Sequence, residues 1–212
     1  QAQAIVHRSE EAVTPSLPRA YPLAVKRAQG VVVEDVDGNR YLDCAAGIAV
    51  CSTGHCHPRV VRAIHEQASR LIHICGADFY DPNYIELAER LAKLAPGNAP
   101  KKVFLGNSGA EAVEAALKLA RYHTGRSQVL AFLGAFHGRT MGAVSLTASS
   151  AKYQRGFRPL VPGITHVPYA YCYRCHYHLA YPGCELACLS AIEEVLFAKA
   201  IAPDAVSYTH LR

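Results

Sequence analysis

No stretch of this 212-residue chain approaches the ~20 consecutive apolar residues that a helical bilayer span requires. Its first residues, QAQAIVHRSEEAV, lack the apolar core of a secretory leader. These absences point away from a membrane protein and toward a cytosolic one. A basic block with interleaved aromatics is also missing. The net charge is +5, but Arg and Lys are dispersed among Asp and Glu. Nucleic acid is therefore not an expected partner, and the balance suits small anionic ligands. Neither G-x-x-x-x-G-K-[ST] nor G-x-G-x-x-G occurs. The nucleophile elbow G-x-S-x-G fails because Ala110 stands two residues after Ser108. Internal repeats and low-complexity tracts are absent.

Half of the residues are hydrophobic, with 12 Tyr and 6 Phe, enough for a sizeable core in one or two domains. Residues 1–20 are polar, contain Pro15 and Pro18, and read as an arm or loose lead-in. VVVEDVDGNRYLD (31–43) reads as a β-hairpin turning at Asp37-Gly38. GIAVCSTGHCHP is a Gly-rich loop with two histidines, and Pro58 opens a helix over 58–72. A second helix spans 82–95, with Asp81 as N-cap and Pro96-Gly97 as its stop. Strands are expected at 101–106, 128–134 and 164–169. Helices are expected after residue 108 and over 185–200, and the stretch AFHGRTMGA between them is turn-rich. This alternation is the grammar of an α/β domain with a mostly parallel sheet.

The most informative junction is FLGNSGAEAVEAALKLAR, where a strand end meets a helix through Gly-Asn-Ser-Gly. A helix start offers unpaired N–H groups and a positive dipole end, which suit a phosphate. Gly106 and Gly109 let the backbone come close, and Ser108 adds a hydroxyl. A purely mechanical reading stands beside it. Ser108 and Glu111 have the S-x-x-E spacing of a capping box, which needs no ligand. The helix has one polar stripe, Glu111, Glu114, Lys118 and Arg121, with Glu114 and Lys118 spaced as an ion pair. The remainder is apolar, so the helix is expected to be packed inside a larger body.

One strand later, GAFHGRT (134–140) sets an aromatic ring, an imidazole and a guanidinium together. A planar ring could lie against Phe136, and Arg139 could meet a carboxylate in bidentate fashion. This pair of loops, with VEDVDGNRYLD and AAGIAVCSTGHCHPRV, resembles the class III aminotransferases. These are pyridoxal 5'-phosphate enzymes of fold type I. The resemblance runs from about residue 20 to residue 206. It implies an α/β fold type I transferase: an N-terminal arm (1–20), a small-domain and linker segment (21–98), and the first part of the cofactor-binding large domain (99–206). Residues 207–212 depart from the family pattern and read as a foreign tail. The resemblance further implies that Ser108, Gly109 and Ala110 hold the cofactor phosphate. Phe136 would stack on the pyridine ring with His137 beside it. Arg139 would contact the substrate carboxylate, and Ile48 and Tyr21 would line the substrate pocket. Amino-acid and 2-oxo-acid substrates, and a homodimer, belong to the same inference.

The family's cofactor-bonding lysine and its pyridine-nitrogen aspartate are expected beyond this stretch. None of the seven lysines present sits in the corresponding context, so the 212 residues alone are expected not to transaminate. A racemase or aminomutase of the same fold is an alternative. A second alternative lies in CYRCHYHLAYPGCELAC. Cys172, Cys175, Cys184 and Cys188 follow C-x2-C-x8-C-x3-C, near zinc spacing, which would suit a metal-stabilised binding module. A disulfide or free thiols fit the same residues. Cys44, Cys51, Cys56 and Cys75 lie in apolar context and read as buried reduced thiols.

Overall fold

The computed structural model describes residues 1–16 and 18–203, and the backbone of 206–208. The chain divides into two units, Gln1–Asn83 and Tyr84–Arg212.

The first unit opens with helix α1 (Ala2–Ala12), where the sequence reads as a loose arm. The Ala2 N–H donates to the Asp37 carboxylate at 3.1 Å, which ties the helix start to the hairpin turn. Three antiparallel strands follow in the order β1 (Val25–Gln29), β2 (Val32–Asp35) and β3 (Arg40–Leu42). The β2–β3 hairpin turns at Asp37-Gly38, and Gly38 supplies the positive φ (+88°) that the turn needs. Asp35 organises this turn. Its carboxylate accepts from the N–H groups of Asp37 and Asn39, the Asn39 side-chain amide and the Tyr41 hydroxyl, at 2.8–3.1 Å. These bonds, led by that from the Asn39 side chain, hold the Asp35 carboxyl below its usual range. β1 was not foreseen. It has no alternation of its own and forms because β2 offers it a register.

A single helical turn, α2 (Ala46–Ala49), and helix α3 (Pro58–Ala68) complete this unit. Proline opens α3 as expected, and the helix stops at Ala68, short of residue 72.

The second unit contains α4 (Pro82–Leu94), whose first turn begins within the first unit and is capped by Asp81: the Asn83 N–H donates to Asp81 Oδ1 at 2.9 Å. Residues 101–106 form no strand. A strand exists by pairing, and no described strand lies beside these residues. Helix α5 (Gly109–Thr124) ends on Gly125 in the left-handed conformation. Then come β4 (Gln128–Phe132), α6 (Met141–Leu146) and β5 (Ile164–Val167), the two strands shorter than read from sequence. Helix α7 (Ala187–Ser190) widens into a π-helical turn over Ala191–Phe197. Glu185 and Leu186 precede it at positive φ, which prevents one continuous helix over 185–200. The backbone of β6 (Val206–Tyr208) pairs with β4, and residues 209–212 of the expected foreign tail lie outside the described residues.

The sheet runs β5-β4-β6, all parallel. β4 is central, and its residues Val129, Leu130 and Ala131 are buried on alternating faces. Val129 and Ala131 pack with Val113 and Leu117 of α5 and with Ala143 and Leu146 of α6. Leu130 and Val167 face the opposite side, against Ile192, Leu196 and Phe197. This three-layer arrangement brings the N-terminal ends of α5 and α6 to one end of the sheet. Only Val113 and Leu117 of α5 are buried, while Leu119 and Tyr122 are exposed. The helix is thus packed on one face among the described residues, not enclosed.

Candidate functional site

The α5 start is built as its sequence predicts, with one change. Ser108 is the N-cap, and its hydroxyl accepts from the Glu111 N–H at 3.2 Å. The Glu111 carboxylate does not return to the cap residue. It accepts instead from the N–H (2.6 Å) and side-chain amide (3.0 Å) of Asn107. A Cβ built on Gly106 would press on Glu111 at 3.2 Å, so the glycine admits this carboxylate. Above Gly109 a Cβ would meet nothing within 4 Å. The N–H groups of Gly109 and Ala110 have no partner among the described residues. Unpaired donors at the start of a 16-residue helix, under open space, form a cradle that fits a phosphate.

The second loop closes directly onto this cradle. Gly138, at φ +135°, sits so tightly that a Cβ there would come 2.7 Å from Ala110 Cβ and 3.0 Å from Ala143 Cβ. Ala110 belongs to the first loop and Gly138 to AFHGR, so the two segments are in van der Waals contact. Two polar side chains fix that contact, and neither was singled out as doing so. The fully buried Thr147 hydroxyl accepts the His137 N–H at 2.9 Å and is shared toward the carbonyls of Gly138 (3.1 Å) and Ala143 (3.0 Å). Glu114 reaches from α5 to the start of α6. Its Oε1 accepts from the Thr140 hydroxyl at 2.6 Å and from the N–H groups of Gly142 and Ala143 at 2.9 and 3.2 Å. Glu114 therefore caps α6 and does not pair with Lys118, because three donors converge on it where Lys118 offers one exposed charge. Gly142 leaves room for this carboxylate: a Cβ there would meet Glu114 Oε2 at 2.2 Å and make the Glu114 side chain shift.

The side chains of this loop differ in setting. Phe136 is half exposed and meets Tyr153 edge-on, with ring centroids 5.1 Å apart. The Arg139 guanidinium lies 5.8 Å from the Phe136 ring centre and 5.7 Å from that of Tyr153. Tyr153, which no sequence motif marks, closes the 3-10 turn Ala151–Tyr153 that follows α6. His137 is partly buried. Burial, and secondarily the neighbouring His166, push its imidazole below the usual range and favour the neutral ring.

Tyr21 and Ile48 both lie in the first unit. Tyr21 lines a groove with α1 and the segment before β1. Ile48 stands on α2, whose residues Ala46, Gly47, Ile48 and Ala49 have φ of +47°, +64°, +62° and +63°. This is a left-handed turn. Each non-glycine residue in it costs about 1–2 kcal/mol. The neighbouring Asp43 accepts the N–H groups of Ala45 and Ala46 at 2.8 and 2.9 Å and meets His55 Nε2 at 2.6 Å. His55, first among these partners, holds the Asp43 carboxyl below its usual range.

The zinc expectation is not met. Cys172, Cys175, Cys184 and Cys188 do line one cavity, of about 40 Å³, but with tyrosines and leucines around it. Among the described residues no group of three His, Cys, Asp or Glu could hold a metal ion. No disulfide forms, and all eight cysteines are free. Cys44, Cys56 and Cys75 are exposed and Cys51 partly so, contrary to the buried setting expected. Apolar neighbours in sequence did not bring a covering element in space.

The model of the aminotransferase class-III family matches residues 15–204. The chain belongs to this family. It is 45% identical over 173 residues to a 4-aminobutyrate aminotransferase of Mycobacterium tuberculosis, covering 82% of the chain and 38% of that relative. It is 44% identical to an isoleucine 2-epimerase of Lentilactobacillus buchneri, covering 77% of the chain and 35% of the relative. The chain thus spans little more than a third of these curated relatives. A solved taurine:2-oxoglutarate aminotransferase from Bifidobacterium kashiwanohense, in complex with pyridoxal phosphate and glutamate, superposes with a TM-score of 0.84. That match has 26% identity and covers 98% of the chain and 47% of the solved one. The family uses pyridoxal phosphate, and the fold is that of its α/β fold type I transaminases. No helix among the described residues is long and apolar enough to cross a membrane.

Proposed function

We propose that the protein containing this chain is a pyridoxal-phosphate-dependent aminotransferase. It passes the amino group of an ω-amino acid of the 4-aminobutyrate type, or of a basic amino-acid derivative, to a 2-oxo acid. The observation that carries the reading is the two-loop cradle: open space and unpaired N–H groups at Gly109 and Ala110, closed on one side by Gly138. Ser108, Gly109 and Ala110 would hold the phosphate, and Phe136 would lie against the pyridine ring. A neutral His137 beside it can share or accept a hydrogen bond without adding charge. Arg139, free to swing from two aromatic rings, would meet the substrate carboxylate. Tyr21 and Ile48 would belong to the substrate pocket. When bound, the cofactor supplies an electron sink. The chain's own residues supply anchoring, orientation and carboxylate recognition.

The division into an arm (1–20), a small-domain segment (21–98) and the first part of the cofactor domain (99–206) is part of this proposal. A cytosolic homodimer is too, and α4 supports the dimer by leaving Tyr84, Ile85, Leu87, Leu91 and Leu94 uncovered.

Titration of the 212-residue chain with pyridoxal phosphate, followed by fluorescence, tests the cradle. Binding should be competed by inorganic phosphate, and pyridoxal without its phosphate should bind at least about tenfold more weakly. Equal affinity for the two would remove the phosphate role. In the whole protein, 4-aminobutyrate with 2-oxoglutarate should yield glutamate. Inversion of an amino acid at its α-carbon without keto-acid consumption would assign the epimerase alternative instead.

A further inference from the structure

C-x-x-C occurs once in the chain, at Cys172 and Cys175. Spacing alone left the state of these thiols open; the backbone narrows it. Cys172–Arg174 form a 3-10 turn, and Cys175 follows as its C-cap. Such a turn rises about 2.0 Å per residue with three residues per turn, so positions i and i+3 stand one above the other, about 6 Å apart. A disulfide joins Cα atoms about 4.4–6.8 Å apart. The two side chains can therefore meet by rotation, without moving the backbone. Neighbouring bonds hold the turn. The Arg174 N–H donates to the Tyr171 carbonyl, and the His178 N–H to the Cys175 carbonyl, both at 3.1 Å. The Arg174 guanidinium lies 5.7 Å from the ring centre of Tyr173. Both thiols are free, Cys172 exposed and Cys175 partly buried. Cys184 and Cys188 line the same cavity, but Glu185 and Leu186 between them sit at φ +47° and +57°, which denies that second pair the eclipsed spacing.

We infer that Cys172 and Cys175 form a reversible dithiol–disulfide site, oxidised by a low-molecular-weight disulfide of the glutathione class. The exposed Cys172 loses its proton and, as thiolate, attacks one sulfur of the small disulfide. That S–S bond breaks, a mixed disulfide forms on Cys172, and one small thiolate leaves and takes up a proton. Cys175, deprotonated in turn, attacks Cys172 Sγ. The intramolecular bond forms, and the second small thiolate leaves and is protonated. Two protein thiols are oxidised and one small disulfide is reduced to two thiols. The bond encloses only Tyr173 and Arg174, so it constrains little of the unfolded chain and is no structural staple. A disulfide on an exposed turn belongs to the labile, redox-responsive kind. The site stands on the second unit's own geometry and does not depend on the aminotransferase reading.

The test treats the whole protein, reduced and folded, with glutathione disulfide, blocks remaining thiols by alkylation and maps the tryptic peptides by mass. Arg174 lies between the two cysteines, so cleavage after it leaves the bond as a link between the peptide ending at Arg174 and the one beginning at Cys175. That linked pair is expected, with fragmentation placing the bond on Cys175 and dithiothreitol removing it. Cys175→Ser should lose the link and accumulate the glutathione adduct on Cys172. Cys184→Ser and Cys188→Ser should form the link as the unsubstituted protein does. The mapping of the unsubstituted protein stands whether or not a variant folds. Three results would overturn the inference. One is a glutathione adduct that persists on Cys172 of the unsubstituted protein without a link. Another is a link from Cys172 to Cys184 or Cys188. The third is an unreacted Cys172 under conditions in which the exposed Cys44, Cys56 and Cys75 take up glutathione.

Discussion

Gly138 shows how much a single hydrogen atom decides at this site. Its φ of +135° is closed to side-chain-bearing residues, and its missing Cβ is the space in which Ala110 and Ala143 sit. Gly138→Ala is therefore expected to cost about 3 kcal/mol, from backbone strain and overpacking together. Chemical denaturation would read the loss, and the phosphate-dependent binding of pyridoxal phosphate should weaken in parallel, because the second loop is pushed off the first. His137 carries a pH signature. Its imidazole is held below the ordinary range by burial first and by His166 second. The unfolded chain then binds the proton more readily than the folded one. The resulting stability is complete above the ordinary histidine value and is lost as pH falls through the folded value. NMR titration of the His137 ring should show this low midpoint. His166→Asn should raise it only in part, since burial is the larger cause.

At the scale of elements, the features legible in the sequence are those that a few neighbouring residues make by themselves. Asp37-Gly38 turns the hairpin, Asp81 and Ser108 cap their helices, and Gly125 ends α5, each through local bonds or a local φ. The elements that escaped depend on partners outside themselves. β1 exists through its register with β2, and residues 101–106 remain without a ladder because nothing described pairs with them. α6 is the clearest case. It is only six residues long and contains Gly142, and the sequence shows only turn signals there. Its first N–H groups are satisfied by Glu114 from another helix, not by its own N-cap Thr140. The two loops were readable for their residue types, yet the residues that hold them together, Glu114, Thr147 and Gly138, were not, because their role is in the contact between loops. Glu114→Ala is accordingly expected to destabilise by about 1–2 kcal/mol, the scale of a lost cap with its donors left wet. Hydrogen exchange at Gly142 and Ala143 should accelerate first. Glu114→Gln keeps an acceptor and should retain most of the protection.

At the scale of the whole molecule, much of the surface within each unit is apolar: Ile72, Tyr80, Leu94, Phe104 and Tyr122 each stand mostly in solvent, and neither α3 nor α4 buries a residue. Surface of this kind is covered in a working protein, by other parts of the chain or by a second copy. The 212-residue chain alone is expected to associate as its concentration rises and to bind a hydrophobic dye strongly. The whole protein, by contrast, should bind little dye and hold one discrete size. Light scattering across a concentration series reads both. A sharp monomer peak with cooperative melting for the isolated chain would show that α3 and α4 need no cover, and would remove the support these faces lend to a dimer.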